Sequence, residues 1–183
     1  MGKIPILETP SGLMLTESSA IATYLLNTYD TAGVFHVTDV HSDAVFIEES
    51  LVSLGSATLG PLGVVQLLCD VATTAPPFPI GYLISFLTAP VDRAWMTPET
   101  AKALSYMEGL LGEKEWFAQV AADAKGPGKA DFMLSWNFDL GVQRGWWKLD
   151  KYPRLAAWRE RVLARDAWKR ALTKGNGYDL TQF

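Results

Sequence analysis

Only residues 4–15 of this chain carry a pattern a β-strand can use. Beyond Tyr29 the apolar residues recur at helical spacing, and no stretch alternates convincingly. Residues 4–8 (Ile-Pro-Ile-Leu-Glu) predict one short strand and residues 13–15 a second, with Thr9-Pro10-Ser11-Gly12 as the turn between them. Pro5 removes a ladder donor, so that strand lies at an edge or begins at the proline. Ser18 is a good N-cap for a helix whose apolar face is Ile21, Tyr24, Leu25 and Leu26. The spacing then predicts helices over 42–58, on to Thr73 after a kink or break at Gly60-Pro61, over 97–122, over 129–144, from Pro153, and over 166–173. The expected fold is mostly α: a small β-β-α piece over 1–33, then an all-α helical domain over 39–183.

Composition narrows the chemistry. The net charge of −4 and the lack of any lysine-arginine run argue against a nucleic-acid partner. A single cysteine, Cys69, excludes an internal disulfide framework. It lies in an apolar stretch and reads as an inert, buried thiol rather than a nucleophile. With only His36 and His41 beside it, a zinc site has too few ligands, so no metal is expected. Seven tryptophans point either to a helical core or to an aromatic-lined pocket. The apolar stretch Pro76 to Trp95 reads equally as a hydrophobic acceptor site or as a packed helix and loop. Prolines interrupt Pro76 to Ala89, so no membrane span is expected. Met1 to Lys3 leads straight into Ile-Pro-Ile-Leu without a secretory apolar segment, so a cytoplasmic protein is the expectation.

Three features near the N-terminus fit one chemistry. Ile4-Pro5 lies at a strand start, Glu17-Ser18 lies at a helix N-terminus, and a tight hairpin joins them. A helix N-terminus offers backbone N–H groups and partial positive charge, which suits a carboxylate. A cis proline turns the preceding residue's backbone toward a ligand for strand-like pairing. Glu17 adds a carboxylate that meets an ammonium. Together they describe a seat for a small peptide.

Those residues carry a resemblance. Gly2-Lys3-Ile4-Pro5-Ile6-Leu7-Glu8, then Leu15-Thr16-Glu17-Ser18-Ser19-Ala20-Ile21 and Tyr24-Leu25, resembles the glutathione-binding half of cytosolic glutathione transferases, closest to fungal and bacterial types. Ala130-Asp131-Phe132-Met133-Leu134 resembles the start of the central helix in that family's all-α domain, with Gly128 where a serine or threonine is usual. Glycine is a tolerable cap, so this departure is expected to cost little. Tyr152-Pro153-Arg154-Leu155 and Trp158 resemble its late helix. The resemblance implies a truncated thioredoxin-like segment that lacks the β-α-β unit before Lys3. It implies glutathione as cosubstrate, with Ile4 pairing beside Pro5, Glu17 and Ser18 holding the γ-glutamyl end, and Lys3 reaching the glycyl carboxylate. The residue that holds the thiolate belongs to the missing unit, so no catalytic residue is assigned. The implied activity is conjugation of glutathione to an electrophilic apolar small molecule, or reversible thiol addition that isomerises a double bond. The alternative is a noncatalytic scaffold on the same fold. Ile6, Leu7, Leu13 and Leu15 lack sheet partners, so a homodimer is expected to cover them.

Overall fold

The hairpin forms where its turn chemistry places it. In the computed structural model, which describes residues 4–35, 41–120, 124, 126–175 and 177–182, β1 (Leu7–Glu8) pairs antiparallel with β2 (Met14–Leu15). The Gly12 N–H donates to the Thr9 carbonyl at 2.9 Å, and the Thr9 N–H donates to the Leu13 carbonyl at 2.9 Å. Gly12 sits at φ +81°, a left-handed conformation open to glycine without a Cβ penalty. Buried Thr9 accepts the Leu13 N–H on its hydroxyl at 3.1 Å. Both strands are shorter than expected. Pro5 has no N–H to donate, so the ladder starts only beyond it. Helix α1 (Ser18–Tyr29) follows and buries none of its residues.

Of the kink or break expected at Gly60-Pro61, the break does not occur, and a wider turn precedes the pair instead. Helix α2 (Asp43–Ser53), a wider π-type turn (Leu54–Leu59) and α3 (Gly60–Thr74) run on as one helix of 32 residues. The same device recurs in α4 (Ile80–Val91), a π-type turn (Asp92–Met96) and α5 (Thr97–Leu111), where Pro98 follows the turn. Proline lacks an N–H, and its ring collides with the carbonyl four residues earlier. That earlier residue is Ala57 for Pro61 and Ala94 for Pro98, and each lies in a π turn. The wider turn accommodates the ring, so the helix continues. The Asp43–Thr74 helix holds an 18-residue window of mean hydropathy 1.6 that is 33% buried. Among the described residues it is the one helix long and apolar enough to cross a membrane, by length and composition alone.

The helix expected over 97–122 stops early. Gly112, at φ +53°, caps α5, and its N–H donates to the Glu108 carbonyl at 3.2 Å. Phe117–Val120 then form a separate 3-10 turn. Helix α6 (Lys129–Gln143), a 3-10 turn (Leu149–Lys151), α7 (Pro153–Ala164) and α8 (Asp166–Lys174) lie close to the expected bounds.

The chain divides into two compact units. One comprises residues up to Ser53 together with Lys114–Ser135. Its core holds Leu51, Phe117, Ala130 and Leu134, all buried. Asp131 is buried with them at 1% exposure, and its carboxylate accepts three backbone N–H groups: Phe117 at 2.9 Å, Ala118 at 3.1 Å and Gly128 at 2.9 Å. The bond to Gly128 is the reaching-back half of a capping box. The other two fix the 3-10 turn.

Glu48 of α2 completes that cap. It accepts the backbone N–H groups of Lys129 and Ala130, while its Oε1 is buried without a partner. Burial pushes the Glu48 carboxyl above its ordinary range, and those N–H groups with the Lys129 ammonium pull it only partly back. Neighbouring Glu49 pairs with Lys129 at 2.5 Å. The glycine at position 128 is therefore no tolerated departure. A Cβ there would lie 2.6 Å from the Ala118 Cβ and 2.8 Å from the Glu48 Oε1.

The other unit comprises Leu54–Glu113 and the chain from Trp136 onward. Leu104, Met107 and Leu111 of α5 are buried at helical spacing, as are Leu155, Trp158 and Val162 of α7. Phe138 of α6 meets Trp158 edge-on at 5.4 Å and Trp147 at 5.9 Å. Each fully buried large side chain contributes about 1.5–3 kcal/mol. The fold is thus a short two-stranded segment followed by a helical bundle.

Candidate functional site

The hairpin register sets the geometry of the N-terminal site. Leu7 pairs with Leu15 and Glu8 with Met14. The ladder begins at Leu7, and residues 4–6 precede it outside any strand. The Ile4–Pro5 peptide is cis, as expected from the sequence, and Ile4 is 93% exposed. Its backbone lies just ahead of β1.

Helix α1 begins one residue earlier in role than the sequence reading placed it. Glu17, not Ser18, is the cap residue, and Ser18 is the first helical residue. Glu17 adopts φ +70°, ψ 119°, and it is the non-glycine residue with positive φ among those described. A side chain with a Cβ rarely occupies that region, and such strain concentrates at ligand sites. The Glu17 side chain makes no bond to the first turn of its own helix. Both Glu17 and Ser18 are exposed.

The arrangement offers three kinds of recognition within a few residues. The first-turn N–H groups of α1 point out along the axis and favour an anion. The Glu17 carboxylate favours an ammonium. The Ile4 backbone offers strand-like pairing. An α-amino acid end joined to an extended peptide matches all three. Lys3, the fifth residue named from sequence, lies outside the described residues, as does His36.

Cys69 on α3 is half-buried. Burial pushes its thiol up, and the Asp70 and Asp92 carboxylates push it further in the same direction. It is thus less buried than expected, while the raised pKa lowers its thiolate character.

Two cavities lie within the second unit, and neither is lined by α4. One, of about 700 Å³, has nearly apolar walls that include Val64, Leu67, Trp136 and Leu140. The other, of about 510 Å³, is lined in part by Trp146 and Trp147. The sequence left the tryptophans open between core and pocket, and both uses occur: Trp158 is fully buried, while Trp136 is 47% exposed at a cavity. The Pro76 to Trp95 stretch instead forms an exposed helical surface, with Tyr82, Leu83, Phe86 and Leu87 each at least 59% exposed.

Solved structures share this architecture. A glutathione S-transferase from Actinobacillus pleuropneumoniae aligns with 100% of this chain and 74% of its own, at 23% identity and a TM-score of 0.69. Ure2p5 from Phanerochaete chrysosporium, cocrystallised with 1-(S-glutathionyl)-2,4-dinitrobenzene, aligns with 94% of this chain and 74% of its own, at 20% identity and a TM-score of 0.69. A glutathione transferase homologue from Lodderomyces elongisporus, with two glutathione molecules per subunit, aligns with 92% of this chain and 74% of its own, at 19% identity and a TM-score of 0.66. The fold is that of a glutathione transferase. No protein-family model matches the chain, and no curated protein matches it. The glutathione transferase fold therefore rests on structure.

Proposed function

We propose that this protein is a glutathione-dependent enzyme acting on an electrophilic apolar small molecule. The observation that carries this reading is Glu17, held at positive φ on the N-terminus of α1 with no side-chain bond to that helix's first turn. In this reading the first-turn N–H groups and the Ser18 hydroxyl hold the γ-glutamyl carboxylate. The Glu17 carboxylate holds its ammonium, the Ile4 backbone pairs with the cysteinyl unit, and Lys3 takes the glycyl carboxylate. The fungal neighbour holding a glutathionyl-dinitrobenzene conjugate supports an aromatic electrophile as the acceptor class.

Two outcomes follow from one first step. The glutathione sulfur, as thiolate, forms a bond to an electron-poor carbon. If that carbon bears a leaving group, the group departs with its electron pair and a conjugate remains. If the carbon belongs to a polarised alkene, addition leaves a single bond that rotates. Elimination then returns glutathione and the other geometric isomer, with no net redox change. A cytoplasmic setting, where glutathione keeps thiols reduced, fits a chain with one cysteine.

The test is turnover with glutathione and two acceptors, 1-chloro-2,4-dinitrobenzene and a cis-configured conjugated alkene. Conjugate or trans isomer above the uncatalysed rate supports the reading. A second reading, a noncatalytic module, draws on the exposed apolar residues of α4. Tight glutathione binding without turnover of either acceptor would favour it.

A further inference from the structure

The 510 Å³ cavity is built within the second unit and uses none of the residues assigned to glutathione. Its size suits one small organic molecule. What distinguishes it from a packing gap is that its aromatic wall is held in place from behind. Trp147 is buried against Gly141, where a Cβ would come within 2.3 Å of its ring, and meets Phe138 edge-on. Trp146 donates its Nε1–H to Asp70 at 2.7 Å, and the Arg144 guanidinium sits 5.5 Å over its ring. The orientation of both indoles is thus set without a ligand. Met96 and Leu104, each 2% exposed, add apolar side chains to the same lining.

The polar lining selects by what it balances. Two lysines, Lys148 and Lys151, face the cavity along with two aspartates, Asp92 and Asp150. Equal numbers of each sign give an ionic ligand no net attraction. Asp92 is further engaged by the Thr97 hydroxyl at 3.2 Å. Gln66 and Thr100 add neutral donors and acceptors to the same walls. A flat ring between indole and aliphatic surfaces, with a hydroxyl or carbonyl on its edge, satisfies these groups. A carboxylate or an ammonium meets as many like charges as opposite ones.

We propose that this cavity is a binding site for an uncharged aromatic compound bearing hydroxyl or carbonyl groups, and that it fills without glutathione.

The probe is 1-naphthol, titrated by calorimetry and by tryptophan fluorescence without glutathione, with naphthalene and 1-naphthoate for comparison. One saturable site is expected, with 1-naphthoate at least tenfold weaker. Thr100→Val with Gln66→Leu, which removes neutral hydrogen-bonding groups worth about tenfold in affinity, is expected to bring 1-naphthol down to the level of naphthalene. Ala101→Phe is expected to fill the cavity and abolish binding. Should that variant fold poorly by circular dichroism, the near-isosteric Thr100→Val and Gln66→Leu pair still decides. Ser18→Ala is expected to leave 1-naphthol binding unchanged whether or not glutathione binds that variant, so the two readings fail separately. No saturable binding up to 1 mM, undiminished binding in a folded Ala101→Phe protein, or binding only with glutathione present would overturn the site.

Discussion

Leu7 pairs with Leu15 across a hairpin only two residues deep, and both side chains are just half-buried. A two-stranded ribbon of that size is marginal in water without further cover. Around it Ile6, Leu13 and Met14 are 45–56% exposed, and Tyr29 of α1 is 61% exposed. Covering several hundred Å² of such surface, at about 25 cal/mol per Å², is large against the stability of a small fold. The protein is therefore expected to be a homodimer. Light scattering at micromolar concentration is expected to give twice the chain mass, and a monomer would reject this.

Asp131→Ala is expected to be among the most damaging single substitutions in the first unit. It leaves the N–H groups of Phe117, Ala118 and Gly128 without their carboxylate inside the protein. At about 1–3 kcal/mol per stranded donor, the loss is about 3 kcal/mol or more. Urea denaturation measures it. A loss below about 1 kcal/mol would mean that water replaces the carboxylate at little cost.

Glu48 makes stability depend on pH in the direction opposite to a salt-bridged acid. Its folded pKa lies above the unfolded value, with burial as the main cause. The folded state thus holds the proton more tightly than the unfolded state. This contribution favours folding below the unfolded pKa and is lost as pH rises through the folded one. Glu48→Gln keeps the shape and an acceptor for Lys129 and Ala130 while removing the charge. The variant is expected to gain on the wild type between pH 5 and pH 7. Urea midpoints at the two values, with parallel slopes for both proteins, would contradict this.

Cys69→Ser is expected to retain most glutathione-dependent turnover. Burial and the flanking Asp70 and Asp92 carboxylates hold the thiol protonated, and the working sulfur comes from glutathione. Loss of turnover in a variant with an unchanged helical spectrum would make Cys69 a nucleophile after all.

The hairpin turn, α1 and helices α6 to α8 are legible in the sequence because their signals are local. Gly12, Pro153 and the caps act within a few residues. The π turns are not legible, because proline in a helical pattern reads as a break unless the preceding turn widens. Gly128 misleads for a different reason. Its neighbours Ala118 and Glu48 arrive through tertiary contact, so an unremarkable cap substitution conceals a steric requirement. At the N-terminal site, residue identities point to Ile4, Pro5, Glu17 and Ser18, but nothing in a glutamate announces positive φ. The cavity walls at Trp146 and Trp147 are equally hidden, since their orientation depends on Gly141 and Asp70.

Glutathione binding at the N-terminus of α1 is the central claim, and calorimetry on three proteins tests it. The wild type is expected to bind glutathione. Glu17→Ala and Ser18→Ala are each expected to lose one or two charge-assisted hydrogen bonds, roughly 1.5–3 kcal/mol, or about tenfold or more in affinity. Their helical spectra are expected to match the wild type, because neither side chain caps α1 or is buried. Unchanged affinity in both variants would contradict the site.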